Sequence, residues 1–197
     1  MKNTGKDIFV LTIKLLLICA VVAAALGAVN MLTEPIIAEN NQKTFEEAMR
    51  EVLPQMQGTP KEIDVSAFVP AQTGTTLNSL YLAEDNGVPV GYVASVTCGE
   101  GYGGDVTVMV GITPEQKVQK IKIMEMSETP GLGAKASEPA FSDQYNGLTS
   151  GISVVKNGSA ANSVQAISGA TITSKAVTKA VNTAMEAAEK EGEKLEK

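Results

Sequence analysis

Most of the residues that could do chemistry in this sequence sit in three glycine-bearing segments. The first, Gly99-Glu100-Gly101-Tyr102-Gly103-Gly104, places glycines around a single tyrosine. The second is Glu128-Thr129-Pro130-Gly131-Leu132-Gly133. Its Pro130-Gly131 pair is turn chemistry, and Gly133 would let backbone approach another group closely. The third is Gln165-Ala166-Ile167-Ser168-Gly169-Ala170-Thr171-Ile172-Thr173-Ser174. Small side chains there leave room for a large group to lie on the backbone, and the segment runs into the last helix with Ser174 as its expected N-cap. A helix amino terminus offers unpaired N–H groups and the positive end of the dipole, which suits a phosphate. Taken by residue type alone, each segment is also consistent with a structural loop: a bulge beside a tyrosine, a plain turn and a capping loop. No Walker-type lysine accompanies them, so a nucleoside triphosphatase is not indicated.

Composition narrows the chemistry further. The chain has no histidine, which excludes a His–Ser triad and imidazole-ligated zinc or haem. Its two cysteines, Cys19 and Cys98, are too few for an iron–sulfur cluster or a disulfide framework. Redox chemistry here would need an organic cofactor. The 197 residues carry 16 Lys+Arg against 22 Asp+Glu, a net charge of −6 that argues against a nucleic-acid partner. No metal site and no catalytic side chain is expected.

The elements that must position these segments divide into three stretches. Residues 1–32 read as a short amino terminus and a membrane anchor, since Leu15 to Leu32 carries no charge and the apolar run extends back over Ile8 to Ile13. A cleaved signal peptide is the rival reading, but the apolar run is longer than a signal core needs. Lys2, Lys6 and Lys14 precede or begin the span and Glu34 and Glu39 follow it, so the positive-inside rule predicts a cytoplasmic amino terminus. Everything after about Thr33 would then lie outside, in a single-pass protein of the cell membrane, with Cys19 inside the bilayer and Cys98 beyond it.

Residues 33–76 form a predicted helix over Glu34 to Leu53, capped by Thr33 with Pro35 in its first turn, and an irregular connection from Pro54 to Thr76. Residues 77–197 form the main domain. Strands are expected over Ser79 to Ala83 and Val88 to Thr97, joined at Asn86-Gly87, and over Val106 to Ile112 and Val118 to Met126. A further short strand is placed near Ile152 to Val155 and a terminal helix over Ser174 to Lys197. The class is α+β, with a mainly antiparallel sheet and flanking helices.

Ser168-Gly169-Ala170-Thr171 resembles the flavinylation motif of FMN-binding domains, although Gln165 stands where that motif usually carries Asp. Together with Gly101-Tyr102-Gly103-Gly104, Glu128 to Gly133 and the single span, it makes nearly the whole chain similar to the G subunits of Rnf complexes. The resemblance implies one FMN per chain, esterified through its 5′-phosphate to Thr171 by a flavin transferase that draws on FAD. It also implies membership of a membrane complex that passes electrons between ferredoxin and NAD, coupled to Na⁺ or H⁺ movement, in which this chain is a carrier and other subunits are its partners. Ser168, Gly169 and Ala170 would line the phosphate and ribityl chain. Glu128, Thr129, Leu132 and Gly133 would lie along the isoalloxazine ring, with Tyr102 at its border and Lys156 near ring or phosphate. Two alternatives share the motif: the C subunit of a Na⁺-pumping NADH:quinone reductase, and a stand-alone extracytoplasmic flavin module.

Overall fold

A computed structural model describes residues 4–56, 58–85, 88–158 and 160–195. Contacts divide the chain into two units, Met1–Glu46 and Glu47–Lys197. The first is helical. Its apolar side chains from Ile8 to Leu32 are exposed around the whole circumference, Phe9, Leu16, Leu26 and Met31 among them. A helix that is apolar on every side and buries nothing in protein meets the condition of a lipid-facing span, and its length suffices for a membrane anchor.

That helix, α1, runs without a break over Thr4–Val52. The predicted new start at Thr33 is therefore corrected. Thr33 Oγ1 donates back to the carbonyl oxygens of Val29 (2.9 Å) and Asn30 (3.3 Å), the way a mid-helix threonine satisfies itself, and Pro35 lies inside the helix.

The second unit is built on a five-stranded antiparallel meander. Its strands are β1 (Lys61–Ile63), β2 (Thr75–Asp85), β3 (Val88–Cys98), β4 (Val106–Ile112) and β5 (Val118–Met126), in spatial order β1-β2-β3-β4-β5. β1 lies in the stretch expected to be irregular, where it pairs Lys61–Ile63 with Leu82–Leu80. Asn86-Gly87 lies outside the described residues, and Asp85 pairs with Val88 on either side of it. Beyond the sheet come a short α2 (Pro139–Ser142) and two more strands, β6 (Ser153–Val155) and β7 (Ser163–Gln165), which pair in parallel. The chain closes with α3 (Thr171–Leu195).

Strand alternation gives the meander two faces. Ala94, Val96 and Cys98 of β3 and Val106, Val108, Val110 and Ile112 of β4 belong to the core shared with Ala176, Val177, Ala180, Val181, Ala184 and Ala188 of α3. The opposite face receives the last turn of α1, where Val52 and Leu53 are fully buried. Gly111 is required there: a Cβ on it would run into the Val52 carbonyl. Tyr145 anchors the α2 region beneath α3, its hydroxyl 2.8 Å from Thr178 Oγ1 and its ring edge-on to Phe141. Burial pushes the Tyr145 phenol far above its ordinary range.

Candidate functional site

The three glycine-bearing segments converge. A cavity of about 510 Å³, within the roughly 300–1,000 Å³ usual for small-molecule sites, is lined by Tyr102 from the first segment, Glu128, Thr129, Leu132 and Gly133 from the second, and 169–173 from the third.

Glu128 joins them. It is 8% exposed, and both its oxygens accept hydrogen bonds. Oε1 takes the amides of Tyr102 (2.8 Å) and Gly103 (3.2 Å), while Oε2 takes the Thr173 hydroxyl (2.9 Å). Burying a carboxylate is costly unless hydrogen bonds satisfy it, and the donors that satisfy this one come from two other segments. Three glycines make the approach possible. A Cβ on Gly101 would meet Glu128 Oε1 at 2.8 Å, one on Gly133 would meet Thr173 Oγ1 at 2.7 Å, and one on Gly103 would run into the Ser127 carbonyl.

The start of α3 differs from the expected one. The helix begins at Thr171, its first intrahelical bond running from Ser174 N to the Ala170 carbonyl (3.0 Å). Ser174 sits inside the first turn, fully buried, and fixes the preceding loop: its hydroxyl accepts from Ile167 N (3.0 Å) and donates to the Ala170 carbonyl (2.9 Å). The small residues before Thr171 allow this tight entry, with Gly169 at φ +76°. The Ala170 amide is committed to the Ile167 carbonyl (2.9 Å). The amides of Thr171, Ile172 and Thr173 precede the first helical donor and so have no helical acceptor.

The two threonines of this turn are not equivalent. Thr173 is 0% exposed, its hydroxyl held by Glu128. Thr171 is part-exposed at the cavity, and its hydroxyl has no hydrogen-bond partner among the described residues. Around the cavity mouth, Tyr102 (71% exposed), Leu132 (44%) and Ile172 (52%) present large apolar surfaces to solvent. Ile172 is a lining residue that the sequence reading missed. Its position in the exposed first turn of an otherwise amphipathic helix was the signal available.

Of the residues expected at the site, Tyr102, Glu128, Thr129, Leu132, Gly133, Gly169, Ala170 and Thr171 line the cavity. Ser168 is exposed and Lys156 follows β6 in an exposed bend, and neither belongs to the lining. At Gly133 the close approach expected of a glycine is to Glu128 and Thr173, which a side chain there would obstruct.

Comparison with known proteins agrees with this geometry. Residues 101–186, which contain Gly101 to Gly104 of the first segment and the whole of the second and third, match the model of the FMN-binding domain. The chain is 38% identical over 188 residues to the G subunit of the Na(+)-translocating ferredoxin:NAD(+) oxidoreductase complex of Acetobacterium woodii, covering 90% of this chain and 89% of that protein. It is 33% identical over 181 residues to the G subunit of the proton-translocating ferredoxin:NAD(+) oxidoreductase complex of Clostridium ljungdahlii, covering 91% of each. In fold it is similar to the crystal structure of Shewanella oneidensis NqrC, with a TM-score of 0.58 at 13% identity over 77% of this chain and 99% of that one. With such identity sustained along nearly its whole length, and with an FMN-binding domain built around the cavity, the chain belongs to the family of G subunits of ion-translocating ferredoxin:NAD(+) oxidoreductases.

Proposed function

We propose that this chain is the membrane-anchored electron-carrying subunit of an Rnf-type ferredoxin:NAD oxidoreductase complex, with one FMN held as a phosphoester on Thr171. The observation that carries the reading is the contrast between the two threonines: the hydroxyl of Thr171 is accessible at the cavity, whereas that of Thr173 is buried and engaged. The residues present fit the cofactor. Tyr102, Leu132 and Ile172 offer apolar faces to a flat ring, and the first-turn amides of α3 suit its phosphate. When bound, FMN supplies the electron-transfer chemistry.

The protein's own groups bind and orient. Thr171 Oγ1 serves as the acceptor in attachment: its O–H bond is replaced by an O–P bond, the proton leaves to a base of the transferase, and the pyrophosphate of FAD breaks to release AMP. A threonine hydroxyl is a weak nucleophile at neutral pH, so an outside catalyst is required. Glu128 keeps the Tyr102 loop and the first turn of α3 in one arrangement. The C subunit of a Na⁺-pumping NADH:quinone reductase is the less supported reading, because the likeness to NqrC is one of fold at 13% identity.

Mass spectrometry of the full chain co-expressed with a flavin transferase tests the attachment. The tryptic peptide 157–175 should carry the adduct, with fragmentation placing it on Thr171. Thr171→Ser should retain it and Thr171→Val should lose it, and an adduct persisting on Thr171→Val overturns the assignment. Orientation is proposed from Lys2, Lys6 and Lys14 before the span and Glu34 and Glu39 after it, which put the flavin domain outside the cytoplasm. Protease added to intact spheroplasts should digest that domain, and full protection would reverse the topology.

A further inference from the structure

We propose that Glu128 makes this cavity selective for flavin held as a phosphoester and against free FMN. The inference rests on the reading of Thr171 as the attachment point and adds a reason why attachment is needed. Among the described residues none that lines the cavity is Lys or Arg, and Glu128 is the only charged one. Lys135 and Lys175 are outside the lining, and Lys179 is tied to Glu100 (2.6 Å) and the Thr73 carbonyl (3.4 Å). The amino end of α3 contributes about half a positive charge. The carboxylate held beside its first turn contributes a full negative one and cannot swing away, because Tyr102 N, Gly103 N and Thr173 Oγ1 all fix it.

A free phosphomonoester brings a charge of about −1.5 to −2 at neutral pH. Esterification to Thr171 leaves one ionisable oxygen fewer, so the group carries a single negative charge and is held by a bond. The local field therefore opposes the free cofactor more than the attached one. Apolar contact with the ring remains available to either.

Riboflavin and FMN share ring and ribityl chain and differ in the phosphate, so together they isolate the charge. The full chain, produced without flavin transferase and kept in detergent, should bind riboflavin at least as tightly as FMN in fluorescence titrations. Raising salt should tighten FMN binding, the reverse of an attractive phosphate contact, and leave riboflavin unmoved. In Glu128→Gln the amide oxygen can still accept from Tyr102 and Gly103, and its nitrogen can donate to Thr173 Oγ1, so the contacts survive while the charge is lost. FMN should then gain about tenfold in affinity relative to riboflavin at low salt. Should that variant fold poorly, the salt dependence of the unaltered chain decides. FMN binding tighter than riboflavin and weakened by salt overturns the proposal, as does a ratio of FMN to riboflavin affinity no higher in Glu128→Gln than in the unaltered chain. Neither result touches the mapping of the adduct to Thr171, so the two readings fail separately.

Discussion

One methyl group on Gly133 should be costly although its backbone would accept a side chain. Gly133 is buried and does not occupy the left-handed region, so the penalty comes wholly from its neighbours. An ideal Cβ there lies 2.7 Å from Thr173 Oγ1 and 2.9 Å from Glu128 Cβ, and closer still to Glu128 Oε2. The carboxylate cannot withdraw without loosening its bonds to the Tyr102 and Gly103 amides. Losing one hydrogen bond to a buried charged group costs about 1.5–3 kcal/mol, and the accompanying overpacking about 1–3 kcal/mol. Gly133→Ala should therefore cost about 3–5 kcal/mol and lower the melting temperature of the flavin-free chain by about 10 °C, followed by circular dichroism. A second background isolates the cause. With Glu128→Ala already present the carboxylate is gone while Thr173 Oγ1 and the Cβ of residue 128 remain, so the added cost of Gly133→Ala should fall by about 1.5 kcal/mol or more without vanishing. Gly131 serves as a control, since it has φ +78° and open space around it, and Ala there should cost only about 1 kcal/mol of backbone strain. A Gly133→Ala protein melting within about 1 °C of the parent would refute the reasoning, as would an equal loss in both backgrounds.

Thr173→Val should destabilise by about 1.5–3 kcal/mol because it strips Glu128 Oε2 of its donor, whereas Thr171→Val should stay within about 0.5 kcal/mol; thermal melts of the two variants check the contrast. Burial raises the pKa of the Glu186 carboxyl, but the bonded Lys190 ammonium and then the Ala71 amide outweigh it and hold the group below its ordinary 4.5. A depressed carboxylate stabilises the fold above the unfolded-state value and loses that contribution as pH falls through the folded one, so melting temperature should drop below about pH 4.5 in the parent and more shallowly in Glu186→Gln. Burial also raises the pKa of the Cys98 thiol, which is 0% exposed. In a Cys19→Ser background, Cys98 should react with a maleimide only as fast as the domain opens, and rapid labelling at pH 8 would show that the core against α3 is looser than its packing implies.

Much of this architecture was legible because local pattern and tertiary role agree. Alternation in Val106 to Ile112 marks a strand with one face on α3, and the uncharged run before Leu32 marks a helix that buries nothing in protein. The site was legible as a set of backbone-permissive segments, and Thr171 stood out through the resemblance of Ser168-Gly169-Ala170-Thr171 to the flavinylation motif. Glu128 was less legible. In sequence it is one carboxylate among many, and its three donors lie 25, 26 and 45 residues away, a spacing that no local periodicity encodes. Ser174 misled for a related reason: serine before an apolar run has the composition of an N-cap, but its hydroxyl can equally brace the loop from within the first turn. Lys156 carried no pattern at all, and the chain leaves it in an exposed bend. Thr33 and Pro35 looked like a helix start because both residues favour one, but the long helix absorbed them.

The alanines of α3 have a mechanical consequence. Ala176, Ala180, Ala184, Ala187 and Ala188 are buried in the core shared with the sheet, beside Val177, Val181 and Met185. An alanine has no rotamer through which to absorb an added methyl, so enlarging one of them would push the helix off the sheet. Ala184 lies 13 residues from Thr171, a lever arm of roughly 20 Å at 1.5 Å per residue. A tilt of about 5° about that point would move the Thr171 end by roughly 1.7 Å, more than half the length of a hydrogen bond. The position of the Thr171 hydroxyl is thus coupled to the far half of the helix, to residues outside the cavity lining.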